Sequence, residues 1–196
     1  VAYVIYLVYG LKIGTETYIP ILKQSITIPI YIYIPFAIIV ILATTNAINL
    51  TDGIDGLSSS VSAIIITCLT IIGIQYNLTE ISIFGSIVIG SVLGFLMFNL
   101  HPAKVFMGDT GSMILGFLLA FTGISFIEIF IQKRDEVFYH LQSAPVIAVA
   151  ILILPIIDTL MVIITRIYHG KSILSPDKNH IHHKLLNLGL THRRST

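Results

Sequence analysis

A polar segment at residues 46–57, NAINLTDGIDGL, interrupts a long apolar part of this sequence. Ionisable groups are costly to place beside a bilayer, so those found there are usually functional. Carboxylate and carboxamide oxygens suit Mg²⁺, which keeps several waters and shares its shell with substrate phosphates. The alternative is a turn rich in Asn and Asp that caps a helix. The polar residues of this segment are Asn46, Asn49, Asp52 and Asp55.

The spacing of these residues predicts their arrangement. Asn49, Asp52 and Asp55 are three residues apart, so a continuing helix would place all three on one face. Gly53 and Gly56 allow the backbone to bend and to approach a ligand closely. We therefore expect a helix end that presents oxygen ligands to a bound molecule.

A second polar segment covers residues 99–112, NLHPAKVFMGDTGS. Its glycines flank Asp109 at a predicted helix start, where free backbone N–H groups favour anions. Asp109 is either a ligand or the N-cap of that helix. Phe106 either stacks on a base or packs in the core, and the residue alone favours the core.

The third polar segment, residues 177–184, has the sequence DKNHIHHK. Three histidines in four residues suggest zinc, but the spacing fits no zinc finger and no cysteine accompanies them. Histidine and lysine could instead neutralise a diphosphate and donate hydrogen bonds to it. A solvated basic tail is the third interpretation. The histidines are His180, His182 and His183.

The composition is that of a membrane protein. Of 196 residues, 55% are hydrophobic and 11% are charged, whereas soluble domains carry roughly 25% charged residues. The net charge of +1 gives no reason to expect a nucleic-acid partner. The single cysteine, Cys68, excludes a disulfide within the chain. The chain starts in an apolar run without a basic leader, so we expect a fragment.

The apolar runs predict an all-α, polytopic transmembrane helix bundle with polar cytoplasmic loops. Residues 17–33 alternate in Ile, Tyr and Thr, which predicts a short extended hairpin at the membrane surface, with Tyr31 and Tyr33 in an interfacial aromatic belt. Asp158 either caps a turn distorted by proline or lines the site. The predicted spans are residues 30–46, 57–76, 81–99, 112–131 and 144–167.

Small residues in the third span predict close helix packing. Gly85, Gly90 and Gly94 would let a neighbouring backbone approach. Alternation of the spans places all three polar segments on one membrane face, and an excess of Lys and Arg marks that face as cytoplasmic. Acids for a divalent cation and bases for phosphates then share one face. This combination indicates phosphoryl transfer between a nucleotide substrate and a lipid.

Together the three segments resemble the motifs of the polyprenyl-phosphate glycosyl-1-phosphate transferases, the superfamily that contains phospho-N-acetylmuramoyl-pentapeptide translocase. NAINLTDGIDGL, PAKVFMGDTGS and DKNHIHHKLLNLGLTHRRS match in order, and the resemblance covers nearly the whole chain. The pentapeptide translocase tends to have a compact run of three histidines. The interrupted run of this chain is more similar to the branch that uses UDP-GlcNAc.

The resemblance implies a glycosyl-1-phosphate transferase of the bacterial plasma membrane with its active site facing the cytoplasm. It implies Mg²⁺-dependent transfer, with Mn²⁺ as a substitute, of GlcNAc-1-phosphate from UDP-GlcNAc to undecaprenyl phosphate. UMP is released, and the product initiates a cell-envelope polysaccharide. The implied partners are the UDP-sugar, the polyprenyl phosphate and the bilayer, and a homodimer is compatible with this reading.

Two alternatives stay open. One is the same chemistry with UDP-MurNAc-pentapeptide, in peptidoglycan synthesis. The other is a membrane transporter or lipid-binding protein in which the acids form an ion path. A transporter should place its acids near the bilayer midplane, on discontinuous helices of repeated halves.

The resemblance also implies roles for single residues. Asn49 and Asp109 would ligate the metal. Asp52, Asp55 and Asp109 would form the catalytic group at the nucleotide-sugar site. The implied substrate-binding residues are Asn46, Asn99, Phe106, His180, His182 and His183.

The chain departs from the family pattern at its two ends. An Asp-Asp pair precedes the corresponding first segment in the family, and further helices follow the histidine motif. Neither is present in this sequence. We therefore expect a single integral-membrane transferase domain over residues 1–196, truncated at both ends and inactive alone.

Overall fold

Apolar helices dominate the computed structural model, which describes residues 16–19, 24–132 and 144–170. Within these ranges, five helices are long and apolar enough to cross a membrane, at 19 to 25 residues each. The predicted all-α polytopic bundle is confirmed, and the chain is a multi-pass membrane protein. The elements are β1 (Glu16–Ile19), β2 (Gln24–Thr27), α1 (Ile30–Thr51), α2 (Leu57–Gln75), α3 (Thr79–Asn99), α4 (Gly108–Gln132) and α5 (Ala144–Tyr168).

The extended segment near the start is shorter than predicted. β1 and β2 form an antiparallel pair in which Glu16 is opposite Thr27, so the hairpin is confirmed. The predicted extended segment is wrong from Ile30 onwards, where α1 begins, whereas the predicted first span, residues 30–46, starts at the observed residue. The carbonyl of Pro29 accepts the backbone N–H groups of the first helical turn. A helix inside a membrane is apolar on every side, so alternation cannot distinguish it from a strand.

The other four spans lie close to their predicted positions. Each begins and ends within about one helical turn of the predicted bounds. The largest buried cluster lies among α2, α3, α4 and α5. Its members include Ile66, Leu69, Val88, Leu119, Phe126 and Leu152.

Helices α1 and α4 pack against each other in opposite directions. Asn49, near the end of α1, contacts Ser112 near the start of α4. At the other ends of the two helices, the hydroxyl of Tyr33 donates to the carboxyl of Glu128. The end of α1 and the start of α4 therefore lie on the same side of the bundle, as alternating spans predict.

Gly116 marks the closest approach of α4 to α1. A Cβ atom at this position would lie 2.7 Å from the Cα and 3.0 Å from the carbonyl oxygen of Thr45. Both are backbone atoms, which cannot rotate out of the way. The absent side chain therefore sets the separation of the two helices one turn below the Asn49–Ser112 contact.

The glycines of α3 differ from the prediction. Gly85 does pack closely, because a Cβ there would lie 1.9 Å from the hydroxyl oxygen of Thr70. For Gly90 and Gly94 the prediction is wrong, since nothing lies within 4 Å of a Cβ at either position. They lie on a side of α3 that no other described helix covers.

The inner side of α5 carries charged residues. Asp158 and Arg166 are buried and follow Pro155 at helical spacing, so the three lie on one side of α5. Leu152 reaches Gly123 of α4 from this helix. Asp158 therefore faces the bundle interior. Its two predicted roles, capping a turn distorted by proline or lining the site, stay predictions.

Tyr33 lies inside the bundle. Tyr31 is exposed, as an aromatic belt requires, but Tyr33 is buried, so this part of the prediction is wrong. The hydrogen bond to Glu128 explains the difference, because a carboxyl that is 4% exposed needs a donor.

We expect Tyr33→Phe to destabilise the protein by about 1–2 kcal/mol, because it leaves a buried carboxyl without its tyrosine donor. Thermal unfolding in detergent measures this. Tyr31→Phe is the matched control and should be neutral. Equal unfolding temperatures for the two variants would contradict a stabilising Tyr33–Glu128 bond.

Candidate active site

Four helix ends meet on one side of the bundle. They are the end of α1, the start of α2, the end of α3 and the start of α4, and contacts between side chains join them in pairs. Two of the three polar segments predicted from the sequence are thus brought together. The third, with His180, His182 and His183, lies outside the described residues.

Asn49 and Asp109, the two predicted metal ligands, are neighbours. The side-chain amide of Asn49 donates to Oδ1 of Asp109 at 3.3 Å and to Oγ of Ser112 at 2.8 Å. Ser112 Oγ in turn lies 3.0 Å from the carbonyl oxygen of Gly108. The start of α4 therefore fixes both the carboxylate and its amide partner.

Asp52 adds a second negative charge to this pair. Burial raises the pKa of the Asp52 carboxyl above its ordinary value, and the nearby charge of Asp109 raises it further. Two carboxylates that repel each other beside a carboxamide form a donor set of the kind that Mg²⁺ takes. No group of three or more His, Cys, Asp or Glu side chains suited to a metal occurs in the described ranges. Mg²⁺ needs only one or two carboxylates when phosphates complete its shell.

Asp52 and Asp55 do not share a helix face with Asn49, so that prediction is wrong. Helix α1 ends at Thr51, and the N–H of Asp52 closes it by donating to the carbonyl of Asn49 at 3.2 Å. Gly56 then adopts φ +77° at the start of α2, a conformation that favours glycine. The chain turns between these points, and Asp55 reaches the loop between α3 and α4.

Asn99 is enclosed at the end of α3. It is 2% exposed, its Oδ1 accepts the hydroxyl of Ser59 at 2.8 Å, and its Nδ2 donates to the carbonyl of Val105 at 2.9 Å. The residue thus joins α2, α3 and the following loop. Its predicted contact with substrate stays a prediction.

Phe106 and Asn46 lie at the surface. Phe106 is 75% exposed, so the interpretation that favoured the core is wrong. Its ring stands just before Gly108, where α4 begins. Asn46 is exposed, and its amide donates to the carbonyl of Leu42 in its own helix at 2.7 Å.

Comparison with known proteins adds the family. The model described as "Glycosyl transferase family 4" matches residues 1–127. The chain belongs to this family.

Three similar proteins come from bacteria. A "Probable undecaprenyl-phosphate N-acetylglucosaminyl 1-phosphate transferase" of Bacillus subtilis (strain 168) is 40% identical over 82% of this chain and 42% of its own length. A "Decaprenyl-phosphate N-acetylglucosaminephosphotransferase" of Mycobacterium leprae is 38% identical over 76% of this chain and 40% of its own. A "Phospho-N-acetylmuramoyl-pentapeptide-transferase" of Clostridium beijerinckii is 48% identical over 54% of this chain and 32% of its own length. The matches thus span 32% to 42% of the length of these three relatives.

Three residues that the sequence analysis did not single out also contribute to the site. They are Ser59, His101 and Ser112, which bond to Asn99, Asp55 and Asn49 respectively. Each lies inside or beside a polar segment. A serine or histidine at such a position does not by itself predict a role in the site. Its partner lies 40 to 63 residues away and is known only from the structure.

We expect Asp52→Asn to raise the unfolding temperature of the metal-free protein at pH 7.5. Because the folded state raises the pKa of Asp52, it binds the proton more tightly than the unfolded state. Ionised Asp52 therefore lowers stability at neutral pH. That penalty fades as the pH falls through the raised pKa, and it is absent below the ordinary value of 3.8.

Unfolding temperatures in detergent at pH 4 and pH 7.5, with EDTA or with Mg²⁺, measure this effect. Mg²⁺ should stabilise the wild type more than Asp52→Asn. Glu80→Gln is the matched control, because Glu80 is exposed in the first turn of α3, on the opposite side of the bundle. The same response to pH and Mg²⁺ in wild type and Asp52→Asn would contradict the prediction.

Proposed function

We propose that this protein, as part of the complete gene product, transfers GlcNAc-1-phosphate from UDP-GlcNAc to a polyprenyl phosphate on the cytoplasmic face of the membrane and releases UMP. The observation that carries the proposal is the group formed by Asn49, Asp52 and Asp109. It combines two carboxylates with an amide where membrane-crossing helices end.

Asn49 and Asp109 would hold Mg²⁺, with Asp52 beside them. The metal would neutralise charge on the diphosphate of the nucleotide sugar. Asp109 lies in the first turn of α4, where free backbone N–H groups favour an anionic ligand. Burial and, to a smaller extent, the nearby charge of Asp109 raise the pKa of Asp52, and a bound cation would offset both effects.

The loop before α4 would receive the uridine. Phe106 offers an exposed ring, and stacking of a base on an aromatic side chain contributes about 1–3 kcal/mol. Lys104, two residues earlier, is exposed and carries a positive charge. The predicted roles of His180, His182 and His183 are to hold the sugar and the diphosphate.

A lipid phosphate can reach this site without leaving the membrane. The headgroup level of a bilayer coincides with the ends of helices that span its apolar core. The phosphate of a polyprenyl lipid would then meet the diphosphate beside Asp109 and attack its β-phosphorus. Bringing two anions together requires the positioning and charge neutralisation that dominate phosphoryl transfer.

The names of two relatives support this substrate pair. Those from Bacillus subtilis and Mycobacterium leprae are named for N-acetylglucosamine and a polyprenyl phosphate, whereas the clostridial one is named for the pentapeptide donor. A transporter would place its acids near the midplane. Asn49, Asp52 and Asp109 instead lie where α1 ends and α4 begins.

The test uses the complete gene product, purified in detergent, with labelled UDP-GlcNAc and undecaprenyl phosphate. We expect UMP and a labelled lipid in equal amounts, and neither when EDTA removes divalent cations. Inside-out vesicles should use added UDP-GlcNAc and right-side-out vesicles should not. Transfer from UDP-MurNAc-pentapeptide alone would replace the proposed sugar, and no lipid product from either donor would refute the proposal.

A further inference from the structure

The loop between α3 and α4, residues 100–107, carries the two side chains that the proposed nucleotide site exposes. Its backbone closes on the end of α3, because the N–H groups of Lys104 and Val105 donate to the carbonyl of Phe98 at 2.8 and 3.2 Å. Asn99 fixes the far end of the loop through the carbonyl of Val105. The middle of the loop is held from another part of the chain.

Asp55 makes that attachment. Its Oδ2 lies 2.9 Å from Nδ1 of His101 and accepts the backbone N–H of Ala103 at 3.1 Å. A carboxylate oxygen only accepts, so Nδ1 of His101 must be the donor. One carboxylate of the α1–α2 turn therefore holds two points of a loop that is 46 to 48 residues further along the chain.

We infer that Asp55 is a positioning residue, which clamps the 100–107 loop so that Phe106 and Lys104 face the nucleotide in a fixed arrangement. The clamp itself stands on the two contacts, whereas its effect on nucleotide affinity rests on the proposed function. A group that is ordered before binding does not have to be ordered by the ligand, and so it binds more tightly. This role differs from the catalytic one that the family resemblance implied for Asp55.

Hydrogen–deuterium exchange of the substrate-free protein tests the clamp without any assay of activity. In Asp55→Ala the amide of Ala103 loses its acceptor. Exchange in peptides that cover residues 100–107 should become about tenfold faster or more, as expected for the loss of hydrogen bonds to a charged group. His101→Ala removes one contact only and should give a smaller increase. Unchanged exchange in both variants overturns the inference, whatever the enzyme's activity.

Kinetics of the complete gene product test the consequence. Asp55→Ala and His101→Ala should each raise the KM for UDP-GlcNAc by about three- to tenfold while kcat changes by less than about twofold, the pattern of lost binding. Asp55→Asn keeps one acceptor oxygen, so it should recover most of the KM. The double variant should be no worse than Asp55→Ala, because both changes break one clamp.

His169→Ala is the matched control, since His169 is also exposed and lies just after α5, where its Nδ1 is 2.7 Å from the carbonyl oxygen of Thr165 and its ring packs edge-on against Tyr168. It should leave both loop exchange and KM unchanged.

A wild-type KM in His101→Ala together with a large loss of kcat in Asp55→Ala and Asp55→Asn would mean that Asp55 acts on the substrate directly, and would overturn the inference. Faster loop exchange in Asp55→Ala, combined with a wild type that shows no transferase activity, would refute the proposed function and leave the clamp intact. If Asp55→Ala fails to fold, loop exchange and KM in His101→Ala and Asp55→Asn test the clamp.

Discussion

Asp109→Asn is expected to lower turnover by about 10²- to 10³-fold while the protein stays folded, because the charge that holds the cation is lost. The carboxamide keeps the shape of the side chain and one acceptor oxygen, so it can still accept the amide of Asn49. It also removes the repulsion of Asp52, so stability without metal should not fall. The measurement is UMP release across a Mg²⁺ titration, with unfolding temperature recorded in parallel.

The competing explanation for Asp109 predicts a nearly silent substitution. Asn is about as good as Asp at a helix N-cap. A charge in the first turn adds only about 0.3–1 kcal/mol through the helix dipole. Since α4 begins at Gly108, Asp109 already lies within the helix. Glu80→Gln provides the matched change from acid to amide away from the site. Turnover like that of the wild type at limiting Mg²⁺ in Asp109→Asn would rule out the metal role.

The helices could be predicted because length and apolarity alone decide a membrane span. The polar segments then had to fall on one side, since each span reverses the chain. The start of α1 at Ile30 agrees with the predicted first span, but the overlapping prediction of extended structure up to residue 33 was wrong. Where every residue is apolar, no contrast in polarity separates a strand from a helix, and the position of Tyr33 depends on its bond to Glu128, 95 residues later.

The site could be predicted as a group but not as a set of bonds. Asn49 and Asp109 were paired through their motifs, and the structure makes them neighbours. The direction of Asp55 depended on where the chain leaves the helix after Thr51, which the non-helical ψ of +41° at Asp52 sets. The burial of Asn99 depended on Ser59 of another helix. Such partners are set by tertiary packing, which local spacing does not encode.

Glycine shows the same limit at the level of packing. Gly90 and Gly94 matched the pattern expected of close helix contacts, yet neither touches a neighbouring helix in the described part of the chain. Gly116, which the pattern did not single out, lies against the backbone of α1. A small residue permits close approach, but only the arrangement of the helices determines which glycine is used.

Gly116→Ala is therefore expected to impair both stability and catalysis. The added methyl group would overlap the backbone of Thr45, so α1 and α4 must separate. Overpacking of this kind costs about 1–3 kcal/mol, and each kcal/mol lowers the unfolding temperature by roughly 2–4 °C in a chain of this size. Asn49 and Ser112 lie one turn away, so the same shift displaces the Asn49–Asp109 pair. Misplacement of catalytic groups by about 1 Å can lower the rate about 10²-fold.

Gly90→Ala and Gly94→Ala are matched controls, because a methyl group at either position meets nothing within 4 Å. Both should keep wild-type turnover, with unfolding temperatures equal to or slightly above that of the wild type, since alanine favours a helix more than glycine does. If Gly116→Ala behaved like these two, the separation of α1 and α4 could not be what aligns Asn49 with Asp109. If higher Mg²⁺ partly restores turnover in Gly116→Ala, the defect lies in the metal-binding pair. Displaced ligands lower the affinity for the cation without abolishing its binding.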